Sequence, residues 1–194
     1  MAYDTWQDVK PQPGKQEKVF QMIANNEVDF MLMGGSRGGG KSELLTMIPL
    51  LFCDDPGFRG VFLRREYSQL MGANSIWEKC QNMYPLFQAK PNMSDKMWKF
   101  PSKCNVRLRH LQHEKDVEGF RGQGYSFIGI DEIDQFPQDS VTFLMSCLRS
   151  EAKVNSFMVG TLNPAKSWCL PLVEYYIDEA GYPDPDKFGH IRWF

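Results

Sequence analysis

Residues 28–42 read VDFMLMGGSRGGGKS, and this stretch decides the fold. An apolar run at residues 28–33 enters a glycine-rich loop, and apolar residues at helical spacing follow between residues 44 and 51. From Gly35 onward the loop matches the pattern G-x-x-x-x-G-K-[S/T], which cradles phosphate groups when it joins a strand to a helix. A flexible glycine hinge is the alternative, but the predicted strand and helix favour a nucleotide site.

The residue types in this loop suit a triphosphate. Glycines let the backbone curl until successive N–H groups point inward, where larger side chains would collide. The start of the following helix adds its positive dipole. Lys41 can reach the β- and γ-phosphates, and the Ser42 hydroxyl can bind Mg²⁺. The predicted nucleotide-binding residues of the loop are Gly35, Ser36, Arg37, Gly38, Gly39, Gly40, Lys41 and Ser42.

Arg37 within the loop and Gln16 upstream of it could make specific contacts with the nucleotide. Arg37 lies inside the loop, where its charge could neutralise the γ-phosphate in the transition state or pair with an acid when the nucleotide leaves. Gln16 lies upstream of the loop, and its amide could recognise the adenine edge because it both donates and accepts hydrogen bonds. The alternatives are a solvated arginine and an exposed helix residue.

A second signature lies downstream, where the short apolar run 127–130 ends in Asp131 and Glu132. Asp131 would hold Mg²⁺, mostly through water, and Glu132 would polarise the attacking water. Two solvated carboxylates are the alternative. An Asp–Glu pair indicates a motor-type ATPase with an additional strand between the two motifs. The apolar run that ends at Thr161 would be that strand, packed beside the strand of Asp131.

Other chemistry-bearing residues carry weaker signals. Thr161 and Asn163 could hydrogen-bond a γ-phosphate or the attacking water and couple hydrolysis to a moving part, although a plain strand-to-turn transition is the alternative. Arg121, between glycines, could act on a neighbouring subunit as an arginine finger, or be a surface charge. His110 and His113 are interpreted as structural or surface residues.

Basic residues also cluster at two places, with aromatic residues interleaved in the second. Such a patch could contact a phosphate backbone, but the outer face of a hairpin is the more frequent explanation. The first cluster comprises Arg59, Arg64 and Arg65. The second comprises Lys99, Lys103, Arg107 and Arg109, with Trp98 and Phe100 among them.

The order of apolar runs predicts an α/β fold with a mostly parallel central sheet and helices on both faces. Residues 1–12 are expected to form an arm, and residues 13–194 one P-loop domain. Strands are predicted at 28–33, 60–65, 97–100, 106–111, 127–130 and 157–160, with 97–111 forming a hairpin. Helices are predicted at 15–25, after the phosphate loop, at 67–84 with a weak point at Gly72, at 141–148 and at 172–179.

The composition fits an ordinary globular domain, since 42% of the 194 residues are hydrophobic and 24% are charged. The net charge of −2 gives no support for nucleic-acid binding, but a local basic face would suffice. The five cysteines are widely spaced without a C-x-x-C pair, which predicts reduced thiols and no zinc site. No signal peptide or membrane span is predicted, so we expect a cytoplasmic protein.

Together these residues resemble the ATPase domain of the large terminase subunit of tailed bacteriophages. The family pattern comprises a glutamine motif, a phosphate loop with an internal arginine, an Arg-Gly element, an apolar strand with Asp-Glu, and Thr-x-Asn-Pro. The corresponding positions are Gln16, residues 36–42, residues 121–122, residues 131–132 and residues 161–164. Their order and rough spacing agree over nearly the whole chain.

The resemblance implies hydrolysis of ATP with Mg²⁺ to translocate double-stranded DNA into a procapsid in the host cytoplasm. It also implies a ring of subunits docked on a portal protein, and a small terminase subunit as partner. In the family, a lid and a nuclease domain follow the ATPase domain. The present chain is expected to stop before such a nuclease domain, so no nuclease activity is expected in it. Two alternatives stay open: another additional-strand ATPase such as a helicase or recombinase, and a non-hydrolysing, nucleotide-dependent assembly or DNA-clamp module.

Overall fold

The computed structural model describes residues 9–35, 38–163, 167–180 and 184–187. Its centre is one seven-stranded sheet with the order β1-β7-β6-β2-β5-β4-β3. The strands are β1 (Phe30–Met33), β2 (Arg59–Arg64), β3 (Lys90–Asn92), β4 (Met97–Lys99), β5 (Asn105–His110), β6 (Phe127–Ile130) and β7 (Phe157–Thr161). The α-helices are α1 (Lys15–Ala24), α2 (Lys41–Met47), α3 (Tyr67–Met71), α4 (Ile76–Met83), α5 (Gln138–Met145) and α6 (Leu170–Val173). Short 3₁₀ helices cover Ile48–Phe52, Tyr84–Phe87, Glu114–Phe120, Ile133–Gln135, Glu174–Tyr176 and Pro185–Lys187.

The sheet is mostly parallel, as predicted. Strands β1, β7, β6, β2 and β5 pair in parallel, and β4 and β3 extend this sheet antiparallel at one edge. Strand β7 lies between β1, which enters the phosphate loop, and β6, which ends before Asp131. The additional strand between the two motifs is therefore confirmed.

Both faces of the central strands are buried, because alternate residues of each strand pack into two separate clusters. On one face Phe62 and Phe127 pack with residues of α1, α2 and α4. On the other face Leu63 and Ile128 pack with residues of α5 and with Phe120. The prediction of helices on both faces is confirmed. Val9 is buried in the first cluster, so packing begins within the stretch that we expected to be an arm.

The predicted helix over residues 67–84 is wrong in its continuity. Helix α3 ends at Met71, and Gly72 adopts an extended conformation. Helix α4 begins after Ser75, whose side-chain oxygen accepts a hydrogen bond from the Glu78 N–H at 3.2 Å. The N-cap offered by Ser75 and the low helix propensity of Gly72 favour two short helices over one long helix.

Other elements differ more modestly from the prediction. The helix predicted at residues 141–148 lies at Gln138–Met145. The helix predicted at residues 172–179 is wrong, because α6 makes only one turn and continues as a 3₁₀ turn that ends at Tyr176. Strand β3 was not predicted, because Pro91 at its centre argues against a strand. The sheet tolerates this proline because β3 is an edge strand. Among the described residues, none of the helices has the length and apolar character needed to span a bilayer.

Candidate functional site

The carboxyl ends of four parallel strands meet at one edge of the sheet and assemble the candidate site. The strand pairing places Met33 opposite Thr161, Gly160 opposite Ile130, and Ile130 opposite Leu63. The residues that end or follow β1, β7, β6 and β2 therefore lie side by side. In open parallel sheets, ligands bind beyond such carboxyl ends.

The phosphate loop leads from β1 into α2. Gly38 and Gly40 have φ angles of 79° and 70°, a left-handed region that glycine enters without steric cost. Gly40 immediately precedes the first turn of α2, so the N-terminus of α2 faces the loop. Residues 38–40 therefore curl into the start of the helix, where backbone N–H groups can bind anions. Two predicted contact residues, Ser36 and Arg37, lie outside the described residues.

Lys41 spans the opening of the loop. Its Nζ donates to the Gly35 carbonyl at 2.8 Å and to the Asn163 side-chain oxygen at 3.1 Å. Partial burial lowers the pKa of Lys41, while the charges of Asp131, Glu132 and the nearby Asp134 oppose that shift. The ammonium group thus sits between the phosphate loop and the end of β7.

The Asp131 side chain has three partners at the site. Its side chain is buried, with 2% exposed. One carboxylate oxygen accepts hydrogen bonds from the Ser42 hydroxyl at 2.8 Å and from the Thr161 hydroxyl at 2.5 Å. The other oxygen pairs with the Arg64 guanidinium at 2.9 Å. Asp131 therefore joins the first turn of α2, the end of β7 and the end of β2.

Glu132 turns back toward this edge because its backbone is left-handed, with a φ of 58°. Such a conformation is uncommon for a residue with a side chain and is often found at functional sites. The Glu132 N–H donates to the Thr161 hydroxyl at 3.0 Å. Its carboxylate, with 27% of the side chain exposed, pairs with Arg64 and accepts from the Gln135 side-chain amide. The Thr161 hydroxyl thus contacts the Asp131 carboxylate and the Glu132 backbone.

Sequence reasoning placed Arg64 in a basic surface cluster, and the structure corrects that assignment. Only 15% of its side chain is exposed, and its guanidinium contacts both Asp131 and Glu132. The signal that could have found it is positional: Arg64 ends a strand that pairs in parallel with β6. Without the register of β2 against β6, the sequence offered no reason to separate Arg64 from its neighbour Arg65.

Of the remaining candidates, Gln16 lies near the phosphate loop and Arg121 does not. Gln16 lies at the loop, where its side-chain amide donates to the Gly39 carbonyl at 3.3 Å. Arg121 does not join the site, because it precedes β6 and lies beyond the amino end of that strand, exposed and paired with Glu118. Pro164 lies outside the described residues. His110 packs edge-to-face against Tyr67, and His113 caps the 3₁₀ helix Glu114–Phe120.

The strand order and this edge define a P-loop NTPase fold of the additional-strand class, as predicted. Residues 32–190 match the family model described as terminase large subunit, T4likevirus-type, N-terminal. The chain therefore belongs to the large terminase family, and the matched model describes the N-terminal part of these proteins. No curated protein matches the chain.

Solved structures of phage packaging proteins share this fold. The large terminase of a thermophilic bacteriophage superposes with a TM-score of 0.67 at 17% identity, over 86% of this chain and 44% of that one. The HK97 bacteriophage large terminase gives 0.61 at 15% identity, over 88% and 36%. A Thermus phage P74-26 large terminase ATPase-domain mutant gives 0.58 at 15% identity, over 95% and 83%. The chain thus spans less than half of the first two proteins.

We expect Thr161→Val to lower the free energy of unfolding by about 1–3 kcal/mol, because the Glu132 N–H and an Asp131 oxygen both lose a buried partner. Chemical denaturation measures the change. Thr161→Ser is the matched control, since it keeps the hydroxyl and should cost about 1 kcal/mol or less. A valine variant as stable as the serine variant would contradict this role of the hydroxyl.

Proposed function

We propose that this chain binds ATP with Mg²⁺ and hydrolyses it to drive double-stranded DNA into a procapsid. The observation that carries the proposal is the set of contacts at this edge of the sheet. Lys41 contacts Asn163, Ser42 contacts Asp131, and the Thr161 hydroxyl joins Asp131 to the backbone of Glu132. Family membership supports the packaging role. A structure of the large terminase from the thermophilic bacteriophage in complex with ATP-gamma-S supports nucleotide binding by this fold.

The phosphate loop and Lys41 would hold the triphosphate. Backbone N–H groups of residues 35–42 would bind the β-phosphate, and Lys41 would exchange its contacts with Gly35 and Asn163 for phosphate oxygens. Arg37 would neutralise charge on the γ-phosphate. Gln16, which contacts the loop at Gly39, would lie toward the adenine.

The donor set fits Mg²⁺ rather than a transition metal. The Ser42 hydroxyl and an Asp131 carboxylate oxygen lie 2.8 Å apart, and both are the oxygen ligands that Mg²⁺ prefers. Among the described residues no group of three or more His, Cys, Asp or Glu side chains could hold a metal by itself. Phosphate oxygens and water would therefore complete the coordination, as is usual for Mg²⁺. When bound, the ion would offset the negative charge of the phosphates.

Glu132 is positioned to act on the attacking water. It lies one residue beyond the metal-binding Asp131, and its carboxylate is partly exposed at the edge where the γ-phosphate would lie. As general base it would accept a proton from that water. Arg64 holds this carboxylate beside Asp131, so we assign Arg64 as a positioning residue.

Thr161 and Asn163 would couple the chemistry to movement. Asn163 contacts Lys41, and the Thr161 hydroxyl contacts the Asp131 carboxylate and the Glu132 backbone N–H. Loss of the γ-phosphate would therefore alter contacts at the end of β7 from two sides. Because β7 pairs with both β1 and β6, a shift of the segment after it could reach surfaces far from the nucleotide.

Assembly into a ring would complete the motor. Arg121 is exposed and lies away from the phosphate loop of its own chain, which suits an arginine finger that acts on the next subunit. A structure described as the Phi-29 viral genome packaging motor assembly shares the fold. The proposed partners are double-stranded DNA, a portal protein and a small terminase subunit, in the cytoplasm of the host.

Glu132→Gln should bind ATP with near-native affinity but hydrolyse it about 10²–10⁴-fold more slowly, because the amide cannot accept the proton of water. Binding of a fluorescent ATP analogue and release of inorganic phosphate measure the two steps. Asp139→Asn, an equal charge change at an exposed position of α5, is the control and should keep native turnover. Normal turnover by Glu132→Gln would remove Glu132 from the chemistry.

Arg64→Gln should lower kcat by about 10–100-fold and change KM by less than about threefold, since misplacing a catalytic group weakens the transition state more than substrate binding. Arg64→Lys keeps the charge and should recover part of kcat. Steady-state ATPase kinetics test both variants. Equal losses in the glutamine and lysine variants, with a raised KM, would indicate a binding role instead.

A further inference from the structure

A basic cavity of about 750 Å³ opens at the edge of the sheet opposite the phosphate loop. It lies at the amino ends of β2 and β5, whose carboxyl ends approach the nucleotide site. Four exposed cations line it: Arg59, Lys99, Arg107 and Arg149. Arg59, Lys99 and Arg107 belong to the basic clusters noted in the sequence, and Arg149 joins them from a loop.

The strand register explains why these cations share one face. Arg59 of β2 pairs with Asn105 of β5, and Asn105 pairs in turn with Lys99 of β4. Directly paired residues project to the same side of a sheet, and neighbouring strands lie about 4.8 Å apart. The row from Arg59 to Lys99 thus spans about 10 Å. Arg107, two residues after Asn105, lies on the same face and lines the cavity.

This positive charge is poorly neutralised within the chain. Arg59 approaches Glu151 at 3.8 Å, but their side chains are 54% and 82% exposed, and such surface pairs contribute little. Across the described ranges, no salt bridge reaches Lys99, Arg107 or Arg149. Lys90 lies directly opposite Lys99 and extends the cationic row. An open face with several unpaired cations attracts a polyanion.

The cavity suits a sugar-phosphate backbone rather than unpaired bases. Its walls come from the glycine-containing segment 122–124 and from residues 149–151, which are polar. Tyr125, its one aromatic lining residue, is only 4% exposed. Trp98 and Phe100, the aromatic residues interleaved with this basic cluster in the sequence, are buried in the core on the other face. Single-strand binding needs exposed aromatic platforms, and this face lacks them among the described residues.

We infer that the face formed by Arg59, Lys99, Arg107 and Arg149 binds the phosphodiester backbone of duplex DNA. The inference rests on the proposed function, to which it adds the DNA-contact residues. About 10 Å of duplex presents about three phosphates per strand, which matches the length of the cationic row. Strand β2 joins the two sites, since Arg59 begins it at the cavity and Arg64 ends it at the acid pair.

The test is the salt dependence of binding to a duplex of about 30 base pairs and arbitrary sequence, measured by fluorescence anisotropy without nucleotide. Each lost phosphate contact should reduce the slope of log K against log salt by about 0.9. The double variant Lys99→Gln/Arg107→Gln should have a slope smaller in magnitude by about 1.8 than the wild type. At low salt its affinity for the duplex should be lower by a factor of about ten or more. Arg149→Gln alone should lose about 0.9, as an independent measurement on another segment.

Lys18→Gln is the matched control, because Lys18 is exposed on α1 and α1 packs against the opposite face of the sheet. It should keep the wild-type slope. A slope in the double variant and in Arg149→Gln equal to that of Lys18→Gln would overturn the inference. Equal affinity for a single strand of the same length, or displacement of the duplex by millimolar inorganic phosphate, would also overturn it.

The experiment separates this inference from the proposed function. The binding assay contains no ATP, so its slopes do not depend on hydrolysis. An unchanged slope in the variants, with normal ATP turnover in the wild type, would reject the basic face and leave the ATPase proposal standing. Reduced slopes in the variants, with no ATP hydrolysis by the wild type, would support the face and reject the ATPase proposal.

Discussion

The buried carboxylate of Asp131 is the constraint on which the rest of the site depends. An ionised group removed from water must be paired or hydrogen-bonded, or it becomes protonated. Here the hydroxyls of Ser42 and Thr161 and the guanidinium of Arg64 satisfy it. Because these partners come from α2, β7 and β2, one carboxylate fixes the relative positions of the phosphate loop, the additional strand and the strand beside β6.

The parallel sheet makes this arrangement possible. Strands that run in the same direction bring their carboxyl ends to one edge, so residues distant in sequence meet without a dedicated loop. Ser42 and Asp131 are 89 positions apart in the sequence, yet the Ser42 hydroxyl and an Asp131 carboxylate oxygen lie 2.8 Å apart. The same geometry gathers the amino ends at the opposite edge, where Arg59 and Arg107 lie. One sheet therefore separates nucleotide chemistry from the proposed DNA contact while joining them through β2.

Patterns that are local in the chain could be predicted from the sequence. The phosphate loop was recognised from its glycines and Lys41, and β6 and β7 from short apolar runs that end in polar residues. The position of β7 between β1 and β6 followed from the Asp–Glu pair. The structure brings Lys41 to Asn163 and Ser42 to Asp131, and their binding of phosphate and Mg²⁺ stays a prediction.

Features that depend on register or on competition between local signals could not be predicted. Arg59 and Arg64 lie on the same strand, yet Arg64 pairs with the two acids and Arg59 lines the cavity. Only the pairing of β2 with its neighbours shows that the two arginines have different surroundings. Trp98 reads as part of a basic, aromatic patch but packs against Trp77 in the core. The break at Gly72 arises because the N-cap at Ser75 competes with a continuous helical pattern, and the pattern alone does not show which of the two prevails.

A crystal structure of the chain with a non-hydrolysable ATP analogue and magnesium is the most direct measurement. The account predicts a triphosphate within residues 35–42, the Lys41 ammonium on its phosphates, and a magnesium ion held between Ser42 and Asp131 with Glu132 facing the γ-phosphate. A nucleotide bound elsewhere, or an acid pair that points away from the phosphates, would contradict it.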